Sequence, residues 1–287
     1  MSFIGEIATS TLVMMEVSVL SNTSRLLVYF NAILYTVLGA SLFFLPEQLA
    51  AVFAWKVTAF MTMTIGGWCL GNAWLAWIAA RRWQWSLVHS TLIYLWLFGI
   101  GELLVLFFFR DKLKLEHPIA WLYFITLIVN AFTALVGILE LVSKRPSLRS
   151  EGVRFSPMQN TFLIVFIVFV GFLGLYGCMA QIGAPGTNGG IFPETMSLFT
   201  LRSFGVFYLS LALAVMPYLW NNDLNAILNH SIASYGLILF ITVAAFVYLR
   251  LFDFTAKPGG FLYFGAYLGV GIPLLFAFRK FGVGKIN

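Results

Sequence analysis

Charged side chains are scarce in this chain. Asp, Glu, Lys and Arg together make up 10% of its 287 residues, whereas soluble globular proteins carry about 25%. Hydrophobic residues make up 61% of the sequence and aromatic residues 17%, and the mean hydropathy is +0.92. This composition excludes a soluble globular domain and indicates an integral membrane protein.

Cysteines and ligand-binding motifs are also rare. The sequence contains two cysteines, Cys69 and Cys178, and both lie in apolar runs, where a free cysteine behaves as a small apolar residue. They provide no disulfide framework. The Gly-rich segment from Gln181 to Glu194 precedes no Gly-Lys-Ser or Gly-Lys-Thr sequence, so we interpret it as a long turn. The sequence has no nucleotide, thiol-redox or zinc motif, and no catalytic residue is assigned from it.

Long apolar runs dominate the sequence. About 20 apolar residues in a helix cross a bilayer, and eight runs reach about this length: Leu26 to Phe44, Val57 to Ala80, Ser86 to Phe109, Ile119 to Val142, Thr161 to Ala180, Leu198 to Trp220, Ala226 to Leu249 and Gly260 to Phe278. They are continuous and do not alternate with polar residues, as the strands of a barrel would. We therefore predict an all-α, polytopic membrane protein with eight transmembrane helices.

A pattern of residues recurs about 140 positions along the chain. The order Pro-Glu, His-Ser-x-x-x-Tyr, Arg and Pro-x-x-x-Leu-Tyr-Phe is the same in both halves. An even number of spans returns the chain to its starting side, so the pattern predicts two parallel four-helix repeats related by a pseudo-twofold axis along the membrane normal. The predicted divisions are a possible interfacial segment 1–25, a first unit 26–143, a basic cytoplasmic linker 144–156 and a second unit 157–287.

Basic residues between the runs predict the orientation. The net charge of the chain is +6, and because the basic residues are spread over short loops it does not indicate nucleic-acid binding. More of the 17 Lys and Arg residues fall on the side that carries both termini, so the positive-inside rule places the termini in the cytoplasm and the protein in the plasma (inner) membrane. Residues 1–25 have no basic n-region and contain Glu6 and Glu16, which does not fit a cleavable signal peptide.

The order of helices also resembles a known group. An apolar first helix that ends in Pro46-Glu47, a Gly-containing second helix that ends in Arg81-Arg82 and two further helices resemble the small DoxX-like four-helix membrane proteins of bacteria. The unit would occur twice here, over nearly the whole chain. The resemblance implies a four-helix membrane fold, and because that group is functionally mixed it implies no particular activity.

His89 and His230 are equivalent residues of the repeat, near the start of the third helix of each unit. Each is followed by a serine, but adjacent residues on a helix point about 100° apart and do not form a catalytic Ser-His pair. We expect these side chains to bond to the backbone or to headgroups, and Tyr94 and Tyr235 to lie in the interfacial aromatic zone. The alternative is that the pseudo-twofold axis brings the two histidines together around a metal or pigment, although two imidazoles are an incomplete ligand set.

Glu102, Asn72 and Asn130 lie deep in three spans of the first unit. The second unit has weaker polar residues or none at the matching positions, which are Thr242, Ser210 and Val270. An intramembrane carboxylate is costly and indicates function by default. Glu102 is predicted either to join helices through hydrogen bonds with the asparagines or to handle an ion, a proton or the polar head of a lipophilic ligand. Arg202 is the candidate counter-ion, or it reaches to the interface.

Three functions remain open from the sequence. The first is a non-enzymatic accessory or interaction subunit of a membrane assembly, with the lipid bilayer and other membrane subunits as partners. No cofactor is predicted, although a quinone, a lipid or a pigment is compatible with the pattern. The second is a transporter or channel for a small solute or ion that uses Glu102. The third is a membrane enzyme that acts on a lipid.

Overall fold

The computed structural model describes residues 20–146, 148, 153–187 and 193–281. Within these residues the chain forms α-helices and two short 3₁₀ helices, and it has no strand beyond one isolated bridge. The predicted all-α class is confirmed. The helices are α1 (Asn22–Phe44), α2 (Pro46–Ala50), α3 (Ala59–Arg81), α4 (Trp85–Phe108), α5 (Pro118–Lys144), α6 (Pro157–Met179), α7 (Leu198–Val215), α8 (Tyr218–Asn221), α9 (Leu224–Val247) and α10 (Gly259–Phe281). Most of the predicted interfacial segment, part of the linker and the last six positions lie outside the described residues.

Among the described residues, seven helical segments are long and apolar enough to cross a membrane: α1, α4, α5, α6, α7 together with α8, α9 and α10. They match seven of the eight predicted runs. The remaining run corresponds to α3, which has 23 residues and therefore about the length of a span at 1.5 Å per residue. It falls short in apolarity because it carries Thr62, Thr64 and Asn72. All three side chains are buried inside the protein, so a less apolar helix is tolerated there.

Polar side chains define where several helices begin. A side-chain oxygen just before the helix accepts a hydrogen bond from a backbone N–H of the first turn, which has no partner within the helix. The residues that cap helices in this way are Ser21, Thr58, Ser156, Ser197 and Asp223. These caps fix the axial positions of α1, α3, α6, α7 and α9, and with them the heights of the buried polar groups.

Helix α3 lies at the centre of the bundle, between α1 and α9. Glycines permit this close packing on both sides. A Cβ atom at Gly66 would lie 2.5 Å from the backbone nitrogen of Phe43 on α1, and one at Gly71 would lie 2.3 Å from a side-chain carbon of Leu237 on α9. Small residues let helix backbones approach one another in this way in membrane bundles.

The halves 22–144 and 157–281, called here the first half and the second half, share a long interface. Helix α3 of the first half packs on α9, α4 packs on α7, and α4 also meets α9. The second long helix of each half, α3 or α7, thus packs on the third long helix of the other half, α9 or α4. Helices α6 and α10 lie at the outside of the bundle, where only 22% and 17% of their apolar stretches are buried.

Candidate functional site

Glu102 lies on α4 at the interface between the halves and is fully buried. The Tyr123 hydroxyl of α5 donates a hydrogen bond to Glu102 Oε2 at 3.4 Å. In the part of the chain that the structure describes, Oε1 has no hydrogen-bond partner. The Ser203 hydroxyl of α7 is directed at the same carboxyl group but does not complete a hydrogen bond of ordinary geometry. The carboxyl group is therefore held by one long hydrogen bond, with a serine of the second half beside it.

The two asparagines hydrogen-bond to tyrosines. Asn72 Oδ1 on α3 accepts a hydrogen bond from the Tyr94 hydroxyl of α4 at 2.9 Å. Asn130 Nδ2 on α5 donates to the Tyr35 hydroxyl of α1 at 2.7 Å and to the Leu95 carbonyl of α4 at 3.0 Å. Each asparagine therefore joins its own helix to one or two neighbouring helices of the first half. In a bilayer, hydrogen bonds of this kind hold helices together.

Tyrosines are the part of this site that sequence reasoning missed. We call the set Tyr35, Asn72, Tyr94, Glu102, Tyr123 and Asn130 the central polar network. The prediction that Tyr94 lies in the interfacial zone is wrong, because its side chain is fully buried and lies about 14 Å along α4 from Trp85 at 1.5 Å per residue. A usable signal was present. A tyrosine in the middle of an apolar run needs a buried partner for its hydroxyl group.

Arg202 does not act as the counter-ion of Glu102 in this structure. Its Nη2 donates to the Ala180 carbonyl at 3.3 Å, and its guanidinium lies 5.6 Å from the centre of the Phe109 ring. The ion pairs among the described residues are Lys112 with Asp111 and Lys144 with Glu140, so Glu102 has no cationic partner there. The direction of the side chain explains this, because Arg202 is adjacent to Ser203 on α7 and adjacent residues on a helix point about 100° apart. The guanidinium of Arg202 lies near Phe109, about two helical turns beyond Glu102.

His89 and His230 are both buried, and both rings lie near the ring of Tyr218. Their ring centroids are 5.2 Å and 6.4 Å from that of Tyr218. His89 Nδ1 donates to the carbonyls of α4's own first turn, 3.0 Å away at Ser86, while His230 Nδ1 is hydrogen-bonded to Thr91 at 3.1 Å. His89 thus bonds to the backbone at the start of its own helix, which is one of the two expected arrangements, and neither ring is exposed.

The described residues provide no further metal ligands beside these histidines. Among the described residues, no group of three or more His, Cys, Asp or Glu side chains is arranged to hold a metal ion. Each imidazole lies near the Tyr218 ring and is hydrogen-bonded through Nδ1. Structural zinc sites are closed by four ligands, so the donor set here does not fit one.

Other polar side chains join the two halves at their ends. Arg82 Nη1 donates to Asn229 Oδ1 at 2.6 Å, and Asn229 Nδ2 donates to the Leu87 carbonyl at 2.9 Å. At the opposite end the Tyr248 hydroxyl donates to Glu47 Oε1 at 2.7 Å. Burial, together with the Glu47 carboxylate, raises the pKa of Tyr248 above its ordinary value. The polar contacts of this protein therefore connect helices and halves at several depths.

Comparison with known proteins adds no assignment. No protein-family model, no curated protein and no solved structure matches this chain.

Proposed function

We propose that this protein is a non-enzymatic membrane scaffold, an accessory or interaction subunit of a larger membrane assembly. The observation that carries the proposal is that Asn72 and Asn130, which lie deep in the bundle, are fully buried and each hydrogen-bonded to neighbouring helices through one of its two amide atoms. A solute path needs polar groups that face a passage along the span. Here the amides join helices, and the outer surfaces of α6 and α10 remain apolar and uncovered.

The proposal includes eight spans arranged as two parallel four-helix repeats, each a DoxX-like unit, with α3 as the eighth span. The reciprocal packing of α3 on α9 and of α4 on α7 supports a twofold relation, since a twofold interface pairs the same elements in both directions. Both termini are then in the cytoplasm, and the protein resides in the plasma (inner) membrane.

Reporter fusions test this arrangement. Reporters joined within 109–117 and 248–258 are expected on the outer side, and reporters joined within 82–84 and 144–156 on the cytoplasmic side. An odd number of crossings, or opposite orientations of the two halves, would contradict the parallel repeat. The scaffold role would then need a different interface argument.

The scaffold role is tested by isolating the full chain from its native membrane in a mild detergent or in lipid nanodiscs. We expect at least one other membrane subunit to co-purify in a fixed ratio, identified by mass spectrometry. A membrane protein of similar size with the same tag serves as the control. Recovery of the chain alone, from membranes in which every other assembly survives the extraction, would count against the proposal.

A second candidate is ligand or proton handling at Glu102. The specific observation in its favour is that Glu102 is buried with one carboxyl oxygen unpartnered and no cation within ion-pair distance in the described part of the chain. Buried polar atoms without partners need a reason, and an unseen ligand or water is one. A quinone, or another lipophile with a hydrogen-bonding head, fits this chemistry.

Glu102→Gln distinguishes the two candidates. Glutamine keeps the shape and can still accept from Tyr123, so as a scaffold the variant is expected to fold and to keep its partner subunits. If Glu102 carries a proton or holds a head group, the folded variant loses proton flux in proteoliposomes or loses the co-extracted lipophile. Glu116→Gln, at an exposed loop residue, is the matched control and should change neither readout.

A further inference from the structure

A cavity of about 430 Å³ opens at the C-terminal end of α3. It is lined by Trp77, Ile78, Arg81 and Arg82. Trp77 and Arg81 are exposed, and Ile78 and Arg82 are half-buried. The cavity therefore combines two guanidinium groups with two apolar side chains, at the end of a helix of membrane-spanning length.

A third arginine lies beside this cavity. Arg25 Nε donates to the carbonyl of Ala80, the residue before Arg81, at 2.7 Å, and its guanidinium lies 5.8 Å from the centre of the Tyr29 ring. The Tyr29 ring in turn packs edge-on against Trp77, with ring centroids 5.4 Å apart. Arg25 is thus held in place by α3 and by an aromatic pair that borders the cavity.

In the described part of the chain, no carboxylate forms an ion pair with Arg25, Arg81 or Arg82. Arg82 donates to the neutral amide of Asn229, and Arg25 to a backbone carbonyl. The partial negative charge at the C-terminus of α3 is about half an elementary charge, which is much less than three guanidinium groups carry. The region therefore attracts an anion.

We propose that the cavity at the end of α3 binds a phosphate group, supplied by an anionic phospholipid headgroup or by free phosphate. Guanidinium groups pair with phosphate oxygens through two parallel hydrogen bonds, and basic pockets at the cytoplasmic side of membrane bundles suit acidic headgroups. Trp77 and Ile78 lie on the membrane side of the arginines, where the glycerol and upper acyl chains of a lipid would contact them. The site is independent of Glu102, and only its assignment to the cytoplasmic leaflet depends on the proposed orientation.

The test is native mass spectrometry of the full chain in detergent, titrated separately with phosphatidylglycerol, phosphatidylcholine and inorganic phosphate. We expect saturable binding of phosphatidylglycerol. Arg81→Gln should weaken it about tenfold or more, the range expected for a lost charge-assisted hydrogen bond. The affinity of Arg81→Lys for phosphatidylglycerol should fall between those of the wild type and Arg81→Gln, because lysine keeps the charge but lacks the planar guanidinium.

Arg250→Gln is the matched control. It removes the same charge from an exposed residue at the opposite end of the helix bundle. The Arg81 side chain is exposed and makes no hydrogen bond to another described residue, so its variants are expected to have the melting temperature of the wild type, measured on the same samples. Saturable binding of inorganic phosphate that depends on Arg81 would support the site and assign it to free phosphate. Equal weakening by Arg81→Gln and Arg250→Gln, or equal binding of phosphatidylcholine, would overturn the proposal.

Discussion

Asn130 illustrates what a polar side chain does in the interior of this bundle. Its amide nitrogen binds a hydroxyl group on α1 and a carbonyl on α4 while the residue itself belongs to α5. Within a bilayer no water competes for these bonds, although an unfolded chain in the membrane also finds partners, so each is worth about 0.6 to 2 kcal/mol. Several such bonds, each modest, specify which helix faces meet.

Tyr35→Phe measures one of these bonds. The change keeps the ring in place and removes only the hydroxyl oxygen that accepts from Asn130 Nδ2. We expect the free energy of unfolding to fall by about 0.6 to 2 kcal/mol, measured by unfolding in mixed micelles. Tyr176→Phe is the control, because the Tyr176 hydroxyl donates to the Pro185 carbonyl at an exposed position. Equal losses for the two variants would show that burial of the hydrogen bond is unimportant.

At the scale of the helix, close approach is set by where glycine stands. Gly66 and Gly265 both lie inside long helices, α3 and α10, yet their surroundings differ. A methyl group on Gly66 would meet the backbone of α1 at 2.5 Å, whereas one on Gly265 would meet nothing within 4 Å. Both glycines read alike in the sequence, so only packing separates the structural one from the neutral one.

Gly66→Ala and Gly265→Ala should therefore shift stability in opposite directions. Alanine in a helix interior is favoured over glycine by about 0.5 to 1 kcal/mol, and at Gly265 nothing opposes this gain. At Gly66 the backbone of α1 must move, and overpacking of this kind costs about 1 to 3 kcal/mol. Thermal unfolding of the purified variants in one detergent gives the comparison. A stabilised Gly66→Ala variant would contradict the close crossing of α1 and α3.

The helices were predictable from the sequence because each apolar run of about 20 residues must satisfy its own backbone in lipid. The helix boundaries differ by a few residues where the sequence analysis did not use a cap. Ser21 caps α1, which begins at Asn22, four residues before the predicted start at Leu26. The burial of Glu102, Asn72 and Asn130 followed from depth alone. The hydrogen-bond partners of these residues could not be predicted in the same way, since apolarity does not reveal which tyrosines face inward.

At the scale of the whole molecule, the two halves differ in how they use polar groups. The central polar network belongs to the first half, with Ser203 as the neighbour contributed by the second. The second half instead joins α7 to α10 through the hydroxyl groups of Tyr208 and Tyr267, 2.9 Å apart. The two halves are therefore held together by different side chains, and the sequence indicated part of this difference, because the positions that match Glu102, Asn72 and Asn130 carry Thr242, Ser210 and Val270.

The interface between the halves should hold them together without the covalent linker. A protease site introduced at positions 149–152 of the linker separates the two polypeptides after folding, and we expect them to remain associated in mild detergent because their helices pack at several depths.

Asn229→Ala removes the bonds to Arg82 and to the Leu87 carbonyl, so dissociation should be roughly tenfold faster, as expected for a bond to a charged group. Ser234→Ala, which removes only a bond within α9, is the control. Size-exclusion chromatography over time measures the associated fraction. Immediate separation of the wild-type halves, or equal rates for the two variants, would mean that the covalent linker rather than the helix interface keeps the bundle together.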